Sequence, residues 1–67
     1  MTARDFTDLF KTLLPVRRVA DAAGIKEATW YGAVTRDRAL TADELTRLRA
    51  AVEAHADELR TMASGLG

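Results

Sequence analysis

Apolar residues recur at helical spacing along nearly the whole of this chain, and nowhere do they alternate as a strand requires. Phe6, Leu9, Phe10, Leu13 and Leu14 recur at the three- and four-residue spacing of a single helical face, with Arg4, Asp8 and Lys11 off it. Thr2, followed three positions later by Asp5, supplies the side chains that satisfy the free amides of a first helical turn. The spacing predicts a helix over about 3–14. Pro15 has no N–H to lose in a first turn and suits the start of a second helix, predicted over 16–23. Gly24 closes that helix, because the left-handed conformation past a helix end is least costly for glycine, and Ile25 and Lys26 complete the turn.

A third helix, over about 27–36, puts Trp30, Ala33 and Val34 on one side and Lys26, Glu27, Tyr31 and Thr35 on the other. A polar connection, 37–40, is anchored by Leu40. Thr41 and Glu44 then form a second capping box that opens a helix over 42–63. Along it Leu45, Leu48, Val52, His55, Leu59, Met62 and Leu66 alternate steps of three and four, the seam of a heptad pattern, until Ser64 and Gly65 end or fray it. The expected fold is all-α: one small four-helix domain over 1–67, with a helix-turn-helix, no repeat and no low-complexity segment.

Sixty-seven residues bury only one small core. With 48% hydrophobic residues, one Pro and no Cys, the chain is neither a disordered tail nor a disulfide-stapled scaffold. No run reaches the roughly 18 apolar residues of a membrane span, and the charged start, with Arg4, Asp5 and Asp8, lacks a signal-peptide core. The expected setting is cytoplasmic, away from membranes.

Val19, Ala20, Ala23, Gly24, Ile25, Trp30 and Ala33 resemble the small and apolar positions of the helix-turn-helix of phage Cro and repressor proteins. The pattern spans Val16 to about Thr35, and the flanking helices extend the resemblance over most of the chain. Ala20 lets two helices approach, Gly24 turns the chain, and Ile25, Trp30 and Ala33 pack the third helix across the second. Trp30 is larger than the family's usual aliphatic residue, and Gly32 sits inside the recognition helix, where glycine costs about 1 kcal/mol against alanine. Two reasons for Gly32 stand open: close approach to DNA, or room demanded by a bulky neighbour such as Trp30 or by a partner.

The formal net charge of zero hides a polarised chain. Residues 15–40 carry Arg17, Arg18, Lys26, Arg36 and Arg38 against Asp21, Glu27 and Asp37, a net +2, whereas 41–67 are net −2. Phosphate contacts supply affinity and base-edge contacts supply sequence choice, so the two tasks fall on different residues. The resemblance implies double-stranded DNA as partner, with Arg17, Arg18, Arg36 and Arg38 holding phosphates and Lys26, Glu27, Ala28, Tyr31 and Thr35 facing bases. Lys26 suits guanine, Glu27 a cytosine amino group, and Ala28 a thymine methyl. The blander reading makes the arginines solvated charges and Tyr31 a cover over Trp30.

Catalysis lacks its usual groups. There is no Cys and one histidine, His55, which lies on the heptad stripe without a second His or a carboxylate cluster at ligand spacing. No catalytic residue, metal, cofactor or small-molecule ligand is expected. Two function classes remain: a Cro-like or repressor-like transcriptional regulator of phage or mobile-element type, and a helical protein-interaction module, antitoxin-like or adaptor, that binds no DNA. The stripe also outlasts the needs of a small bundle. Either the first helix, through Phe6, Leu9 and Phe10, folds back over it, or a second copy covers His55, Leu59, Met62 and Leu66. The expectation is a homodimer on a palindromic operator.

Overall fold

Both capping boxes form. Thr2 Oγ1 accepts the Asp5 N–H at 3.1 Å while the Asp5 carboxylate accepts the Thr2 N–H at 3.2 Å. Thr41 and Glu44 repeat the exchange at 3.1 and 3.0 Å. Each box satisfies two amides that a helix start otherwise leaves without partners. The computed structural model describes residues 1–67, and in it these boxes open the first and last of four helices: α1 (Ala3–Phe10), α2 (Val16–Ala22), α3 (Glu27–Thr35) and α4 (Ala42–Ser64).

The three later helices match the sequence reading to within a residue at each end, but α1 stops at Phe10 rather than running to Leu14. Leu13 and Leu14 both donate their N–H groups to the Phe10 carbonyl, so the chain leaves the helix through a tight turn. The cause is Pro15, whose ring disfavours a helical residue before it. Leu13 thereby falls outside the helix and is exposed, and Leu9, although within α1, is exposed as well.

Two turns of one design join the middle of the chain. After α2, Gly24 stands at φ +82°, its N–H bonded to the Asp21 carbonyl and that of Ile25 to Ala20, the two reversed bonds of a Schellman stop. After α3, Asp37 takes the left-handed position at φ +53°, with its N–H on Val34 and that of Arg38 on Ala33. Asp tolerates that conformation better than most residues.

Four helices enclose a core of Ala3, Phe6, Val16, Val19, Ala20, Ala23, Ile25, Trp30, Ala33, Leu40 and Leu48. Phe6 meets the edge of Trp30 with ring centroids 5.7 Å apart, which fastens α1 to α3. Ala20, almost without exposed surface, lies in α2, which packs on both α3 and α4. The N-terminal segment is tied to the α3–α4 connection: Ala3 N–H donates to Arg38 O and Leu40 N–H to Met1 O, both at 2.9 Å. That tie buries Leu40 as the anchor of the connection. α1 packs chiefly on α3 and does not fold back over the far end of α4, where Leu59, Met62 and Leu66 are exposed. No helix is long and apolar enough to cross a membrane.

Candidate nucleic-acid interface

α3 turns Trp30 and Ala33 inward, and at 100° per residue that sets Ala28, Tyr31, Gly32 and Thr35 on its outward side. Ala28, Tyr31 and Thr35 are exposed. This outward side bears no charge; the charges stand at its ends. Lys26 is the N-cap residue and Glu27 the first residue of the helix, both exposed, and Arg36 is the C-cap residue. Of the five residues expected to face bases, Ala28, Tyr31 and Thr35 share this side, and Lys26 and Glu27 are exposed at the helix start. Trp30 is buried while Tyr31, which lines the same depression, is 67% exposed.

Gly32 has open space where a Cβ would stand, with no heavy atom within 4 Å. Trp30 and the rest of the chain thus make no claim on that room, which leaves close approach to DNA or to a partner as the reasons for the glycine. Thr35 folds its hydroxyl back to donate to the Tyr31 carbonyl at 2.8 Å.

The arginines divide. Arg17, on the first turn of α2, reaches the start of α3, its Nη1 3.7 Å from Glu27 Oε1. Both side chains are largely exposed, so the pair is weak and easily exchanged for another anion. Arg36 is exposed and has no carboxylate partner among the ion pairs of the fold. Arg18 lies on the other side of α2, at the rim of a groove facing α4.

Arg38 departs from its expected phosphate role. Its guanidinium makes a two-pronged bond to Glu44, Nη1 to Oε1 and Nη2 to Oε2 at 2.9 Å each, and Nη1 also donates to Ala39 O. The paired Glu44 carboxyl is held down to about 2, first by the Arg38 hydrogen bonds and next by the Thr41 amide, and the Arg38 guanidinium is raised in turn. This arginine braces the start of α4.

Arg4 is the residue that the pattern of the chain did not single out. From α1 its Nη2 donates to the Val34 and Thr35 carbonyls at 3.4 and 3.3 Å, placing a cation at the carbonyl end of α3. With Arg36 it makes that end of the exposed face positive, as Lys26 and Arg17 do the other. No local signal marks Arg4, because its partners lie some thirty positions away and meet it only through α1–α3 packing.

Beside this face runs a depression lined by Val16, Arg17, Ala28, Tyr31 and Val34. No three His, Asp or Glu side chains gather into a set able to hold a metal ion. No family model, curated protein or solved structure matches the chain.

Proposed function

We propose that the chain is a sequence-specific double-stranded DNA-binding regulator of the Cro-like or repressor-like kind, with α3 as the helix that enters the major groove. The observation that carries this reading is the outward side of α3: uncharged, with exposed Ala28 and Thr35 and half-buried Gly32 around one large exposed side chain, Tyr31, and bracketed by Lys26 and Arg17 at one end and Arg36 and Arg4 at the other. A major groove about 12 Å wide admits a helix about 10–12 Å across, and small side chains let the backbone go deep. Cations at the two ends then meet the phosphates that line the groove.

In this reading Arg17 and Arg36 hold phosphates, while Lys26, Glu27, Ala28, Tyr31 and Thr35 address base edges. Exchanging the exposed Glu27–Arg17 pair for DNA contacts costs less than about 1 kcal/mol. Regulation follows from occupancy of an operator that excludes polymerase or a competing protein.

One observation favours a protein partner instead: Tyr31 and Val34 make part of an apolar depression beside α3. Selection of bound duplexes from a random library decides between them. An enriched sequence, bound with an affinity that falls steeply with salt, supports the DNA reading. No enrichment, together with indifference to heparin, overturns it in favour of the protein-interaction module.

A further inference from the structure

The far half of α4 carries apolar side chains that nothing in the chain covers. Leu59 and Met62 are 48 and 63% exposed, yet they continue the stripe on which Leu48 is 1% exposed, and Leu66, 90% exposed, follows in the turn just past the helix end at Ser64. At 23 residues α4 is about 34 Å long and outruns the bundle, giving the molecule extents of 43 × 21 × 19 Å.

Two whole-chain measures show how much surface this leaves. A compact chain of this length has a radius of gyration of about 11 Å, against 12.7 Å here. A compact monomer of this mass exposes about 4,200 Å², against 4848 Å² here. The surplus of roughly 600–700 Å² belongs to the chain as a whole and accompanies its elongation to 43 Å.

The shape and charge of the uncovered region fit a second copy. A groove between α2 and α4, walled by Pro15, Ala22, Ala51, Ala54 and His55, leads directly to Leu59 and Met62. Its small walls admit a helix closely. At the rim stands Arg18, which has no ion-pair partner in its own chain. α4, for its part, ends without a basic residue in its last turn, so its negative carbonyl end has no cation of its own.

We propose that the chain forms a two-fold dimer in which α4 pairs antiparallel with α4 of a second copy near Leu59. Met62 and Leu66 of each copy fill the α2–α4 groove of the other, and Arg18 meets the carbonyl end of the arriving helix. The same patch serves both copies, as a closed two-fold contact requires. This arrangement holds whether or not α3 reads DNA.

Sedimentation equilibrium of the full chain, from micromolar to hundreds of micromolar, tests the pairing. A monomer–dimer equilibrium is expected, weakened at least about tenfold by Met62→Asp and by Arg18→Glu, with helical circular dichroism unchanged. Because the chain has no cysteine, Thr46→Cys and Thr61→Cys each give a single site for a spin label. An antiparallel pair brings the two labels at position 61 close and sets those at position 46 about 40 Å apart along the helices. A parallel pair would bring both sets close and overturn the arrangement. A chain that stays monomeric throughout assigns the stripe to a different protein, and a Met62→Asp chain that loses its helix assigns it to the monomer's own core; either result overturns the proposal.

Discussion

The guanidinium of Arg38 and the carboxylate of Glu44 face each other squarely, two parallel hydrogen bonds of 2.9 Å joining the α3–α4 connection to the first turn of α4. The Glu44 carboxyl falls to about 2 for that reason, helped by the Thr41 amide. An acid whose value is lowered on folding contributes stability above its unfolded value, and that contribution is lost as the pH falls toward the folded value. The fold therefore weakens between about pH 5 and pH 2. Thermal unfolding should show wild type melting above Glu44→Gln at neutral pH, with the gap closing as the pH approaches 2. A gap constant over that range removes the pair from the stability of the fold.

Phe6 and its neighbours on α1 offer a sharp contrast. Phe6 is buried between Phe10, with ring centroids 4.7 Å apart, and Trp30, whereas Leu9 and Leu13 face outward. Phe6→Ala should cost about 3–5 kcal/mol, comparable with the whole stability of a domain this small. Leu9→Ala and Leu13→Ala should each stay within about 0.5 kcal/mol. Denaturant titration separates the two classes, and a Leu9→Ala loss near that of Phe6→Ala contradicts the packing described.

What the sequence made legible was what is decided locally. Thr2 with Asp5, Thr41 with Glu44, and Gly24 after α2 act within a few residues, and their partners are where the pattern puts them. Trp30 and Ala33 were readable as the inner side of α3, and Tyr31 and Thr35 as its outer side. Periodicity finds a face but not the width of the surface that meets it: it sets Phe6, Leu9 and Leu13 on one face of the first helix, yet only Phe6 of the three is buried. Charge counting could not tell Arg38, braced against Glu44, from Arg36, which is free, because the difference rests on the left-handed turn at Asp37. Arg4 was silent for the same kind of reason, its role being set by helices that meet only in the folded chain.

Gly32 lies within α3, has an ordinary backbone angle, and has room for a methyl group. Gly32→Ala should therefore stabilise the fold by up to about 1 kcal/mol, raising the melting midpoint by several degrees. If α3 enters the major groove along this side, the same substitution lowers affinity for the selected duplex. Melting curves and fluorescence anisotropy on one preparation check both. A variant both more stable and equally tight on DNA takes Gly32 out of the contact surface.

Arg17 and Arg36 stand at opposite ends of α3, whereas Arg38 is braced internally. On the DNA reading, Arg17→Ala and Arg36→Ala weaken binding to every duplex and each lower the salt slope by about one unit, leaving the preferred sequence unchanged. Lys26→Ala and Tyr31→Ala shift which sequence is selected. Arg38→Ala lowers stability and leaves the slope alone. Affinities across a salt series check these separations, and a preference unchanged in both Lys26→Ala and Tyr31→Ala refutes the base-facing assignment.

The overhang of α4 also sets a length. Leu48, buried under the helix-turn-helix, and Leu59, at the proposed two-fold axis, are about 16 Å apart along α4 at 1.5 Å per residue. A two-fold pair doubles that to about 33 Å between equivalent points, close to the roughly 34 Å of one turn of B-DNA between adjacent half-sites. If the two α3 helices keep the spacing of the two Leu48 positions, both copies enter successive major grooves on one side of the duplex. The selected site should accordingly be a palindrome with half-site centres about 10 base pairs apart. Inserting five base pairs at its centre turns one half-site to the opposite side and should reduce affinity to that of a single half-site, while inserting a full turn leaves the pair facing one way but out of reach. Binding titrations on the three duplexes read this out. Equal affinity for all three means that the copies bind DNA independently, whatever their association in solution.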